Sequence, residues 1–249
     1  MKHEERMQLA RDLCDRMVCR HPGHVVISGV YGSTAKGTDT PWSDLELLFV
    51  VRDGSKIKEK HFIYRGIAVG YSVFERRKLE NLLANPSPDW PFLMGVLSVL
   101  KVLYGDLEQV QAWLRSGQSV PAEKFRKALE SYLPEFVVES YGRIFSCRER
   151  GNTEDVGCAV IEVLLEMNKA LCLLNRRWVT HDYYQGFVDA FSFPKLPEGY
   201  RDLVPALWNA RDMDEIVPLA RTLVNNFWQL LADEGIRVPD YQNVNDLPL

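Results

Sequence analysis

Two apolar runs, residues 25–30 (VVISGV) and 45–51 (LELLFVV), constrain the fold more than any other feature. Each is too short for an ordinary globular helix, and each is rich in β-branched or aliphatic side chains, so both read as buried strands. Between them lies Tyr31-Gly32-Ser33-Thr34-Ala35-Lys36-Gly37-Thr38-Asp39-Thr40-Pro41, a stretch of small, turn-forming residues. Residues 67–74 form a third such run. A chain with three short strands this close together must build a sheet. Something apolar must then cover that sheet.

The flanking segments supply the cover. Residues 4–20 place Met7, Leu9, Ala10, Leu13, Met17 and Val18 at helical spacing, and His21-Pro22-Gly23 stops the run. Residues 75–84 read as a helix. Asn85-Pro86-Ser87-Pro88-Asp89 breaks the chain, and residues 91–103 resume as a helix. The character changes near Ser116-Gly117-Gln118-Ser119-Val120-Pro121. Beyond it only helical patterns occur, over 122–150, 154–175, 183–191, 199–210 and 214–233, with Gly235 as a stop for the last. The expected architecture is α+β: a mixed β-sheet with flanking helices over residues 1–118, then an all-α helical bundle over 119–249.

With 249 residues, 46% hydrophobic and 26% charged, the chain has room for a sizeable core. Its composition excludes a collagen, a disordered tail and a disulfide-stapled miniprotein. Thirty basic against 34 acidic side chains leave a net charge of −4, which argues against general polyanion binding and suits a neutral or cationic partner. Five cysteines without CxxC spacing point to reduced, mostly buried thiols and to neither a zinc cluster nor a disulfide frame. The five histidines show no metal-binding spacing. No run approaches the ~18 apolar residues of a membrane span. The start, Met1-Lys2-His3-Glu4-Glu5-Arg6, is charged instead of forming an apolar signal core. A cytoplasmic protein without membrane or nucleic-acid partners is expected.

The chemistry concentrates at Gly32-Ser33, followed after ten residues by Asp44-Leu45-Glu46. A Gly-Ser turn leaving a strand brings backbone N–H groups and a hydroxyl close to a phosphate. Lys36 in the same segment is a further phosphate candidate. Asp44 and Glu46, two apart, point to one face of a strand. Two adjacent carboxylates repel unless a cation lies between them. Hard oxygen ligands of this kind suit Mg²⁺, which joins one or two carboxylates to substrate phosphates. A phosphate turn followed by a metal-binding pair is what phosphoryl or nucleotidyl transfer requires. Neither GK[ST] nor G-x-G-x-x-G occurs, so this is not a Walker or Rossmann site.

Gly32-Ser33…Asp44-Leu45-Glu46 resembles the signature of the DNA polymerase β-like nucleotidyltransferases. More narrowly, Gly29-Val30-Tyr31-Gly32-Ser33…Thr38-Asp39…Pro41-Trp42-Ser43-Asp44-Leu45-Glu46, together with Glu4-Glu5-Arg6-Met7 and Asp89-Trp90-Pro91, is similar to the kanamycin nucleotidyltransferases, the aminoglycoside 4′-O-nucleotidyltransferases. The resemblance implies Mg²⁺-dependent transfer of AMP from ATP to a hydroxyl of an aminoglycoside such as kanamycin or tobramycin, antibiotic resistance, and a homodimer. It implies a catalytic base at Glu139 and a basic phosphate contact four residues on at Arg143, where the family has Lys. Read alone, Glu135, Glu139 and Arg143 are a charged stripe at i, i+4 spacing, and Pro134 should kink the helix beneath it. Glu135 is assigned to a substrate ammonium. Relatives place a third acid on the next strand. That position falls at about Gly70, in a strand without a carboxylate, which leaves open either another register or a different third group. Tyr71 and Trp90 are candidates for the acceptor pocket, and the tryptophans are expected in the core and at interfaces. Other acceptors, a protein side chain or an RNA end, and a binding module without turnover remain alternatives.

Overall fold

The computed structural model describes residues 1–248, with the side chain of Phe136 outside the description. The chain divides after Val120 into two compact units, and the first begins at Met1 and contains all the strands found among the described residues.

In the first unit, α1 (His3–Arg20) precedes β1 (Val25–Val30), a short α2 (Gly32–Lys36) and β2 (Leu45–Val51). Then follow β3 (Lys60–Tyr64), β4 (Ile67–Glu75), α3 (Arg76–Ala84), α4 (Trp90–Val99), β5 (Lys101–Tyr104) and α5 (Leu107–Gln118). The sheet order is β3-β4-β2-β1-β5. Only β2 and β4 run parallel, and the other pairs are antiparallel, so the sheet is mixed. With nearly every side chain of β2 buried, the strand is continuous and apolar where a half-exposed one would alternate. Its two faces have different neighbours. Leu45, Leu47 and Phe49 pack with Val30, Val69 and the α1 residues Met7 and Ala10. Leu48 and Val50 leave the opposite face, and Leu79, Leu83, Trp90, Met94 and Trp113 of α3, α4 and α5 are buried too. Each fully buried aliphatic side chain contributes about 1.5–3 kcal/mol. Together these residues fix which way Glu46 must point.

The α+β expectation holds, and three local readings are corrected. Residues 101–103 are strand β5, not the end of a helix. Leu100 turns extended (φ −63°, ψ 116°), and Val102 pairs with Gly29 of β1. The Gly-Ser segment continues into the short helix α2, closed by left-handed Gly37. β3, which has no apolar alternation and five exposed residues, and α5, capped by Asp106 accepting from Glu108 N–H at 2.9 Å, add elements that the sequence reading lacked.

Beyond Pro121 the described residues contain helices and no strand. They are α6 (Ala122–Leu133), a π-turn (Pro134–Val138), α7 (Glu139–Glu149), α8 (Val156–Asn175), α9 (Tyr183–Ala190), α10 (Tyr200–Asn209) and α11 (Met213–Asp233), with a 3₁₀ turn at Val244–Asp246. α8 is buried on most sides, through Val160, Val163, Met167 and Leu171 among others, as suits a central helix. The single helix expected over 122–150 is interrupted. Pro134 cannot donate to the carbonyl four residues back, and the backbone widens into the π-turn there. Left-handed Gly235 follows α11, as its position suggested. No helix among the described residues is long and apolar enough to cross a membrane. All five cysteines are free, but only Cys14 and Cys172 are buried, which corrects the expectation that most would be.

Candidate active site

The strand–turn–strand of the first unit brings five of the singled-out residues together. β1 ends at Val30, and Tyr31 N–H donates to Glu46 O at 3.1 Å, so the sheet row continues through Tyr31 and Glu46. Gly32 follows with φ +66°, in the left-handed region. A Cβ on it would collide with Glu46 Oε2. Gly32 is therefore required twice, for its backbone conformation and for the approach of the Glu46 carboxylate to the start of α2. Ser33 is the second residue of this helix, half-buried, and Lys36 closes it, also half-buried.

Glu46 is half-buried on β2, and Asp44 is exposed one residue before the strand begins. Both press on one probe, the Tyr31 phenol. Its pKa is pushed up to about 12, first by burial, against a hydrogen bond from Ser72, and then by the negative charges of Glu46 and Asp44. The phenol also donates a hydrogen bond to Glu46. Both negative charges therefore act on the one phenol, Glu46 through a hydrogen bond as well as its charge and Asp44 through its charge. Asp44 makes no hydrogen bond or ion pair among the described residues. An exposed, unpartnered carboxylate beside a second one is an oxygen donor set that fits a hard divalent cation. No group of three His, Cys, Asp or Glu side chains able to hold a metal exists among the described residues.

The segment that delivers Asp44 is held from behind by α1. Arg6 is wholly buried, ion-paired with Asp39, and donates to Thr40 O at 3.0 Å and Ser43 O at 2.9 Å. Asp39, 2% exposed, also binds His3 Nδ1 at 2.6 Å. Burial pushes its carboxyl up, but His3 and Arg6 outweigh that and hold it below the ordinary value. Arg6 thus grips the chain on both sides of Trp42 and sets its path into Asp44. Sequence inspection picked out Arg6 and Asp39 only as parts of a resemblance. Their 33-residue separation gives no local sign of pairing.

The other singled-out residues lie in the second unit. Glu139 and Arg143 form an i, i+4 ion pair at 2.6 Å, and Arg143 is also paired with Glu162 of α8. These contacts, Glu139 first, raise the Arg143 pKa. Glu135 is exposed in the π-turn, so it is not part of an unbroken α-helical stripe with Glu139. A groove between α7 and α8, about 580 Å³, is lined by Arg143, Glu162, Asp155 and Glu166.

The aromatic candidates lie in different surroundings. Tyr71 is paired with Leu47 on the α1 side, edge-on to Phe49 at 5.5 Å, and so faces away from Glu46. Trp90 is buried, its indole donating to Leu83 O at 3.2 Å. Burial keeps Trp90 from lining an acceptor pocket, which corrects that expectation. Trp42 is 93% exposed and so lies outside the core.

No family model matches the chain. It is 24% identical, over 92% of its length and 89% of theirs, to proteins named aminoglycoside nucleotidyltransferase (4′) from a Bacillus species and from Staphylococcus aureus. The crystal structure of a nucleotidyltransferase-like protein from Exiguobacterium sibiricum superposes with a TM-score of 0.52 at 14% identity, covering 92% of this chain and 75% of that one. Along nearly its whole length the chain is similar to proteins named aminoglycoside nucleotidyltransferase (4′), and its fold is similar to that of a nucleotidyltransferase-like protein.

Proposed function

We propose that the protein is an aminoglycoside O-nucleotidyltransferase that transfers AMP from ATP to the 4′-hydroxyl of its acceptor and so confers resistance to the antibiotic. The observation that carries the reading is the placement of Glu46 against the Gly32 turn with Asp44 beside it, in a chain whose relatives bear that activity in their names. The Gly32-Ser33 turn would receive the triphosphate, with Lys36 adding a positive charge. Asp44 and Glu46 would hold Mg²⁺, whose chemistry there is neutralisation of the charge that grows on the phosphates.

A sugar hydroxyl is a poor nucleophile at neutral pH and needs a base. Glu139 accepts its proton as the oxygen attacks the α-phosphorus. The bond from that phosphorus to the bridging oxygen breaks, and pyrophosphate leaves with the electron pair. Arg143 offers its planar fork of donors to phosphate oxygens. Glu135, exposed and anionic, takes an acceptor ammonium, and the net charge of −4 suits a polycation. The working form is a homodimer, readable from the mass in solution.

The test is direct. Wild-type protein, ATP and Mg²⁺ are incubated with kanamycin or tobramycin, and the drug is followed by mass spectrometry. The expected result is one added AMP with equimolar pyrophosphate, and a raised inhibitory concentration for cells expressing the chain. An unmodified drug would remove the proposal.

A further inference from the structure

The sheet row that carries Glu46 can be followed across four strands. Tyr31 continues β1 opposite Glu46, Glu46 is in register with Gly70 of β4, and Gly70 is in register with His61 of β3. Residues in register share a face, so all four positions look to the same side of the sheet. At Gly70 there is no side chain, and the His61 ring takes its place. A Cβ built on Gly70 would lie 2.7 Å from His61 Cδ2 and 3.0 Å from Nε2. The imidazole therefore lies inward over β4 instead of outward from the sheet edge. Neighbouring strands are about 4.8 Å apart, so the ring stands one strand from the Glu46 backbone. It is exposed and makes no hydrogen bond or ion pair among the described residues.

The ring packs on the Gly70 backbone, yet the residue stays exposed, so its nitrogens remain open to a ligand. Metal ligation does not explain its placement, because His61 forms no three-residue metal group with Asp44 and Glu46. What the ring adds beside two carboxylates is a hydrogen-bond donor. An imidazole carries at least one N–H in every protonation state, and a phosphate oxygen at the cation-binding pair would accept from it.

We infer that His61 is a nucleotide-contacting residue, its imidazole donating to a phosphate oxygen of the triphosphate from the place that Gly70 leaves open. This rests on the nucleotidyl-transfer reading above.

Titration calorimetry of a non-hydrolysable ATP analogue with Mg²⁺ tests it without an acceptor. His61→Ala should weaken binding roughly 10-fold or more, the loss typical of one hydrogen bond to a charged group. His61→Gln, which keeps an N–H, should recover part of that. Gly70→Ala should displace the ring and weaken binding to the same degree. The double variant should bind no worse than either single one, since both remove one contact. Binding by His61→Ala within twofold of wild type would overturn the inference, as would additive losses in the double variant. Melting curves check folding, and His61→Ala decides alone if Gly70→Ala does not fold. Wild type that fails to bind the analogue removes the nucleotidyl-transfer reading and His61 with it. Wild type that binds the analogue but leaves aminoglycosides unmodified removes only the acceptor, and the His61 comparison still stands.

Discussion

Arg6→Ala is the sharpest test of how the Asp44 segment is held. The guanidinium is 0% exposed, ion-paired with a carboxylate that is 2% exposed, and bonded to two backbone carbonyls. Removing it leaves Asp39 with His3 and a backbone N–H as partners, and leaves the Thr40 and Ser43 carbonyls without their Arg6 donor. Breaking a buried pair from one side costs about 3–5 kcal/mol. For a chain of this size each kcal/mol lowers the melting temperature by about 2–4 °C, so a fall of roughly 6–20 °C is expected in calorimetry. Turnover should fall further than the remaining folded fraction explains, because a displacement of about 1 Å at Asp44 is worth up to ~100-fold in rate. Arg6→Met combined with Asp39→Asn should regain at least half the lost stability, since neither replacement leaves a buried charge. A loss under about 1 kcal/mol for Arg6→Ala, or strictly additive losses in the pair, would refute the clamp. The ion pair would then be an ornament of a loop that α1 does not hold.

Other perturbations act on the site itself. Asp44→Asn and Glu46→Gln should each lower kcat by ~100-fold or more with the melting temperature unchanged, measured by pyrophosphate release; a fully active Asp44→Asn variant would remove it as a metal ligand. Gly32→Ala should cost about 1–3 kcal/mol and abolish activity, because the left-handed φ and the Glu46 carboxylate both oppose a side chain. Tyr31 makes stability fall at high pH. Its folded pKa, about 12, lies above the ordinary phenol value near 10, so the unfolded chain releases the proton first. The stabilisation is complete below pH ~10 and is lost as pH rises towards 12; denaturant titrations across that window should show a slope that Tyr31→Phe flattens.

Much of the framework could be read from residue order, and for a common reason. α1, β1, β2, β4 and the helices of the second unit announce themselves through apolar spacing within one element, and stop signals such as His21-Pro22-Gly23 and Gly235 act on their own neighbours. The strand position of Glu46 was legible in the same way, and Asp44 lies one residue before that strand begins. β5 was hidden because Lys101–Tyr104 continues an apolar run with no break, and only the antiparallel contact with β1 makes it a strand. β3 was hidden because its side chains are all exposed and its identity comes from pairing with β4. The π-turn at Pro134 was half visible: the proline foretold an interruption, but its form depended on how the backbone closed around it.

The neighbours of the carboxylate pair belong to the second kind. Arg6 reaches Asp39 across 33 residues, and the His61 ring reaches Gly70 only once β3 has folded back along β4. Short-range order follows from steric and hydrophobic rules that each residue carries with it, so it is written in the chain as periodicity. Which distant side chains meet is settled by burial and register, through the sum of many weak contacts, and no single stretch of residues encodes that sum.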